Sequence, residues 1–261
     1  PVKHYNLPVG LLQPQDPADF IMVNNLQDLA VQRTYCHGVL VAESGQSLLA
    51  SVNVEPLNRF ATLPKKVADF KLPASGSKVR VIEALDGQLT TTEKHMTALI
   101  KDGAIVSDLE RDILKIAVVN RYQDHKPAVA LVKNFGLHRG AIASSVAHDS
   151  HNIVAVGTTD AEICAAENHI ILHSGGIALA EGNSGSILTL HIAGLMSTGD
   201  GYQVAWKYAD LDARAKQLGS TLTAPFMTLS FMALLVIPEL KISDRGLFSS
   251  QEFGLVSVSV D

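Results

Sequence analysis

Residues 128–157 read AVALVKNFGLHRGAIASSVAHDSHNIVAVG, and two apolar runs within them, 128–132 and 153–156, constrain the fold more than any other part of the chain. Both runs have the β-branched composition of buried strands, with Gly136, Gly140 and Gly157 as turns or points of close backbone approach. Between them lies a polar insert of His148, Asp149, Ser150, His151 and Asn152. Two imidazoles, a carboxylate, a hydroxyl and an amide within five residues form the densest cluster of chemically capable groups in the sequence. Two readings stay open. The insert is a turn in which Asp149 and Asn152 hydrogen-bond their own backbone, or it is a loop that contributes to a site.

A chain of 261 residues is long enough for one large domain or two ordinary ones, with a core that needs no covalent staples. Cys36 and Cys164 are far apart and form no metal-spaced pair, so both read as small buried hydrophobes in a reducing compartment. The net charge is -5 and the 21 basic residues are thinly spread, which argues against a nucleic-acid surface. The N-terminal PVKHYNLPVG lacks the layout of a signal peptide. The most apolar window, FMTLSFMALLVI at 226–237, has the length of a core element rather than of a membrane span. A soluble, cytoplasmic protein with no nucleic-acid or membrane partner is expected.

Residues 1–55 contain short apolar segments at 20–23, 39–41 and 48–54 separated by Pro, Gly, Asn and Asp, the pattern of a small β-sandwich segment. So small a region buries little by itself and is expected to complete a sheet whose other strands lie elsewhere. Residues 56–76, with Pro64 and Pro73, read as a linker with at most one short helix at 64–70. From 77 to 261 the pattern is a mixed α+β domain. VRVIEA, an Asp86-Gly87 turn and QLTTTEKH make a hairpin signal, and ILKIAVV at 113–119 is a strand followed by a polar connection at 121–126. Thr158 or Thr159 can cap a helix that ends at Ser174-Gly175-Gly176, and strands follow at 177–180 and 187–192. A second helix is expected over 206–218 with Gly219 as its stop, and the final VSVSV as an edge or closing strand. Strands and helices mixed without strict alternation place the whole in the α+β class.

Pattern alone yields little chemistry. There is no GxSxG, Walker A, HExxH or GxGxxG motif. His169 and His173, at i,i+4 on the first helix, have a spacing that can hold a metal, but no third ligand is evident. Asp19 reads as a turn or cap. Asp244 and Arg245 read as an ion pair at a turn.

Four separated segments nevertheless resemble the C-terminal domain of the adenine deaminase family, in the amidohydrolase superfamily. They are LHRGAIASSVAHDSHNIVAVG at 137–157, IAGLMS at 192–197, PFMTLSFMAL at 225–234 and VIPELKISDRGLF at 236–248. VGLLQPQDPADFIMVNN at 9–25 resembles the segment in which amidohydrolases return from their barrel to a small β-sandwich. Thr189, His191 and Leu235 stand where the family pattern leads one to expect proline.

The resemblance implies conversion of adenine and water to hypoxanthine and ammonia. It also implies a (β/α)8 barrel carrying a divalent metal, manganese, iron or zinc, that lowers the pKa of a bound water. No barrel motif is present, so no catalytic residue and no metal ligand are expected here, and the chain alone is expected to be inactive. Its implied partners are a catalytic barrel domain or chain, adenine as substrate of the whole enzyme, and further copies in a homo-oligomer. His148, Asp149, Ser150, His151 and Asn152 are then candidates for the substrate pocket. The alternatives are a non-catalytic assembly domain, with 226–237 as its interface, and part of an amidohydrolase acting on another cyclic amidine or amide.

Overall fold

A computed structural model of the chain describes residues 1–260. It divides into two compact units, residues 1–53 and the chain from Val54 onward. The first holds a short helix α1 (Val2–Tyr5) and one antiparallel sheet in the order β1 (Phe20–Val23), β2 (Val31–Cys36), β3 (Val39–Glu43) and β4 (Gln46–Ser47). Asp19 clasps its loops together, its carboxylate accepting from the backbone N–H of His37 (2.7 Å) and of Gly10 (3.0 Å). Those bonds hold its carboxyl below the usual range.

No residue of this unit is buried. Cys36 is therefore exposed, contrary to the expectation of a buried thiol, whereas Cys164 is buried in the second unit. The strand expected at 48–54 is also absent. The sheet ends at Ser47, and Leu48, Leu49 and Val52 are exposed, so a strand there gains neither a ladder nor burial.

The second unit begins with a 3-10 turn (Val67–Phe70), β5 (Leu72–Pro73), β6 (Lys78–Ala84), β7 (Thr91–Thr97), β8 (Leu99–Lys101) and β9 (Ala104–Val106). It continues through β10 (Ile113–Val119), β11 (Ala128–Lys133), β12 (Ala141–Ser144), β13 (Ile153–Gly157), helix α2 (Asp160–Leu172), β14 (Gly176–Glu181) and β15 (Ser184–Thr189). Helices α3 (Gly201–Gln217) and α4 (Pro225–Phe231) precede the terminal strands β16 (Leu240–Ser243), β17 (Gly246–Ser249) and β18 (Gly254–Val256). Residues 56–76 belong to this unit, where Phe70 is fully buried.

Eight strands form the central sheet in the order β15-β14-β12-β13-β10-β11-β6-β7, with the β6–β11 pair parallel and the other neighbours antiparallel. Every residue of β10 is buried, and Ile116 lies opposite Ala130 on one side and Val156 on the other. Alternation then sorts side chains by size. Leu114, Ile116, Val118, Ile142 and Leu179 face a core shared with α3, α4 and β16–β18. Ala117, Ala141, Ala143, Ala155, Ala178 and Ala180 face α2. Alanines let that helix come close. At Gly157 an added Cβ would lie 2.6 Å from Ala141 Cβ and 2.8 Å from Ile163 Cγ1. Each large aliphatic side chain so buried contributes about 1.5–3 kcal/mol.

Helix α2 starts where the sequence indicates, with Thr159 accepting from the Glu162 N–H. Lys115, buried on the alanine face, reaches Asp160 at 2.6 Å and ties β10 to the first turn of α2. Helix α3 begins five residues before the expected start because Asp200 accepts from the N–H of Tyr202 and Gln203. Strand β15 stops at Thr189, short of 192, and the chain turns with Ile192 N–H donating to the Met196 carbonyl. Within the run 226–237, Phe226, Leu229 and Met232 are buried in the core, whereas Met227 and Val236 are exposed. At the C-terminal end, Val258 and Val260 close the VSVSV run against β6 by backbone bonds to Arg80 and Lys78. No helix among the described residues is long and apolar enough to cross a membrane.

Glu167 on α2 is fully buried, and neither carboxyl oxygen has a hydrogen-bond partner among the described residues. Burial raises its pKa well above 4.5, with Lys65 opposing. The folded state therefore keeps this proton to a higher pH than the unfolded chain, and stability falls as pH rises from about 4.5 toward the folded pKa. Glu167→Met is expected to stabilise the chain by about 1–3 kcal/mol at pH 8 and by less at pH 4. Urea unfolding at the two pH values checks this, and an equal effect at both would contradict it.

Candidate functional site

Strand β10 delivers the chain into a tight turn. Asn120 Oδ1 accepts from the N–H of Tyr122 (2.9 Å) and Gln123 (3.0 Å), an Asx-type turn. Its Nδ2 donates to Asp244 Oδ2 at 2.7 Å. The expected Asp244–Arg245 ion pair is thus replaced by an Asp244–Asn120 bond. Ser243 pairs with Gly246 in the β16–β17 register, so 244 and 245 form a two-residue loop whose arginine is exposed.

The turn sends Arg121 inward, where it is 4% exposed. Its Nη1 donates to the Ala193 carbonyl (2.5 Å) and its Nη2 to the Tyr122 hydroxyl (2.8 Å). The guanidinium lies 4.7 Å from the Tyr122 ring centroid and 5.8 Å from that of Phe60. Its Nε is buried without a partner among the described residues. The Arg121 N–H donates to Asn152 Oδ1 (3.2 Å), and the Tyr122 hydroxyl donates to the Ser150 carbonyl (3.0 Å).

Those last two bonds hold the 145–152 loop between β12 and β13. At its start the buried Ser145 hydroxyl donates to the Gly194 carbonyl (2.6 Å) and accepts from the Gly176 N–H (2.8 Å). His148 N–H donates to the Ser230 carbonyl of α4 (3.2 Å). The His148 ring stacks on Phe231 at 5.2 Å and meets the His151 ring edge-on at 5.4 Å. His151 closes the turn, its N–H bonded to the Ala147 carbonyl and its φ at 52°, a left-handed conformation that histidine tolerates better than most residues. Beneath, the buried Lys241 Nζ donates to the carbonyls of Leu89 (2.6 Å) and Phe231 (3.0 Å), and burial pushes its pKa down to about 8.

The structure therefore brings the rings of His148 and His151 together and leaves Asp149 and Ser150 exposed. Asn152 is buried and its oxygen is committed to the Arg121 backbone. His151 Nδ1 is buried without a partner among the described residues. Burial, then the neighbouring His148 and Arg121, lower its pKa below 6.5. At neutral pH that ring is uncharged and can both donate and accept a hydrogen bond.

Arg121 and Tyr122 escape a reading by motif, because 121–126 looks like a polar connection, whereas Phe231 and Lys241 lie within the family-like segments 225–234 and 236–248 but carry no chemistry by type there. The available signal is the arginine's position one residue beyond a strand-like apolar run and Asn120. Elsewhere, His173 Nδ1 lies 2.8 Å from the His169 carbonyl. Among the described residues no group of three or more His, Cys, Asp or Glu side chains is placed to hold a metal ion.

Residues 88–254 match the family model of the adenine deaminase C-terminal domain. The chain is 52% identical over 264 residues to an adenine deaminase of Salinibacter ruber, covering 100% of this chain and 48% of the relative. It is 52% identical over 257 residues to one of Sulfurovum sp., covering 98% of this chain and 47% of the relative. To that of Methanosarcina mazei it is 45% identical over 273 residues, covering 100% and 49%. The chain spans about half the length of the curated relatives it matches. With a family model matched over most of its length and relatives this similar, the chain belongs to the adenine deaminase family, in the part described by that C-terminal domain.

Proposed function

We propose that this chain serves as the C-terminal half of an adenine deaminase, converting adenine and water to hypoxanthine and ammonia in the cytoplasm as part of purine metabolism. The 148–152 loop forms a wall of the purine pocket. What carries the reading is the paired imidazoles of His148 and His151, set on a family motif held by the Arg121 N–H at the Asn152 side chain, the Tyr122 hydroxyl at the Ser150 carbonyl and the Ser230 carbonyl at the His148 N–H. A neutral imidazole matches the alternating donors and acceptors of a neutral purine edge without leaving a buried charge unpaired.

The described residues do not fit a metal site. The resemblance and the match to about half the length of the relatives support placing the water-activating centre, with its divalent manganese, iron or zinc ion, in a barrel half outside this chain, and the chain alone is expected not to turn over adenine. What these residues supply is orientation and exclusion of water.

In a full-length enzyme, His151→Ala is expected to lower kcat/KM for adenine by about tenfold, the scale of one lost hydrogen bond in a desolvated site. An unchanged kcat/KM would remove the loop from the pocket.

A second role, subunit assembly, is supported by α3. Trp206 is 71% exposed on a helix that packs by Leu211 and Ala215. An indole exposed on a stable helix suits contact with a second copy. Trp206→Ala is expected to shift the full-length protein toward smaller species in sedimentation velocity, and an unchanged distribution would count against this face.

A further inference from the structure

Two segments from different parts of the sheet converge on Arg121. One is the 148–152 loop, joined through the Arg121 N–H to Asn152 and through the Tyr122 hydroxyl to the Ser150 carbonyl. The other is the 192–196 turn after β15, which carries the IAGLMS motif and is held by the guanidinium at the Ala193 carbonyl. The fit at that turn is specific. Gly194 has φ +68°, and an added Cβ would come 2.2 Å from Arg121 Nη1, so only glycine lets the arginine reach the carbonyl. Nη2 bonded to the Tyr122 hydroxyl makes the relay continuous from Ala193 to Ser150. The arginine is buried and its side-chain hydrogen bonds go to neutral oxygens, so its charge is kept at a desolvation cost.

We propose that Arg121 is a positioning residue that locks the 148–152 loop and the 192–196 turn into one rigid wall toward the purine. This rests on the reading of the loop as a pocket wall. Arg121 touches no reacting atom. It acts by fixing where His148 and His151 stand, so its loss is felt in substrate binding before the chemical step. The charged groups that bear on the His151 ring are Arg121, Asp149 and, when protonated, His148.

The test compares Arg121→Met, Arg121→Lys, Tyr122→Phe and His151→Ala in the full-length enzyme, by adenine kinetics, by hydrogen exchange at 148–152 and 192–196, and by titration of the His151 ring. For Arg121→Met, exchange is expected to quicken about tenfold in both segments and KM to rise about tenfold, with kcat changing less than about threefold. The His151 midpoint should move up as the neighbouring cation is removed. Arg121→Lys, which keeps the charge and one donor, should restore KM to within about threefold. Tyr122→Phe should quicken exchange at 148–152 alone.

A response of only one segment to Arg121→Met would overturn the coupling. An unchanged KM for Arg121→Met beside a raised KM for His151→Ala would overturn the role of Arg121 while leaving the wall reading intact. An unchanged kcat/KM for His151→Ala removes the wall reading, and this inference with it. If Arg121→Met does not fold, the Lys and Phe variants decide, and unaltered exchange and KM in both would overturn the proposal.

Discussion

The constraint on which the second unit depends is the division of one sheet into a large-residue face and an alanine face. Strand β10, buried along its whole length between β11 and β13, can satisfy its backbone only as an interior strand. Its alternate side chains then commit Leu114, Ile116 and Val118 to one core and Ala117 and Val119 to the other. Small residues admit α2 at close range, and large ones require a thicker cover, supplied by α3, α4 and β16–β18. Because both faces are covered, polar chemistry is pushed to the end of the sheet, where β10 leaves and β13 enters.

At that end a buried guanidinium organises the surrounding loops. Taking an arginine out of water is costly unless its donors are met. Here a carbonyl and a phenol each accept from one terminal nitrogen, and two aromatic rings lie near the cation. Asp244, from the SDRGLF segment, does not answer this charge; it anchors Asn120, which shapes the turn that aims Arg121 inward. Three of the four family-like segments thus converge physically. HDSHN supplies the imidazoles, IAGLMS supplies the carbonyl and the glycine clearance, and SDRGLF sets the turn. The fourth, PFMTLSFMAL, supplies Phe231 beneath His148.

The strands with strong apolar runs, β10, β11 and β13, and the capped helix α2 are legible in the sequence, because burial on both faces and a threonine cap leave plain marks. Strand β12 is not, since AIAS lacks β-branched bulk apart from Ile142 and takes its place only through pairing on both sides with β13 and β14. The start of α3 is marked by Asp200, but the glycines on either side of that residue mask it. Arg121 and Lys241 are hidden for a deeper reason. A charged residue reads as solvent-facing by type, and only the three-dimensional supply of carbonyls, Ala193 for one and Leu89 and Phe231 for the other, makes its burial tolerable. In the first unit the mismatch has the opposite sign, since Leu48, Leu49 and Val52 have strand composition although nothing there covers them.

The most direct measurement is a structure of the full-length enzyme with a purine analogue bound. The expected result is a ring nitrogen of His148 or His151 within about 3.5 Å of a polar atom of the purine, or joined to it by one water. A purine bound beyond the reach of both imidazoles, with the 148–152 loop turned away from it, would contradict the placement of that loop in the pocket wall.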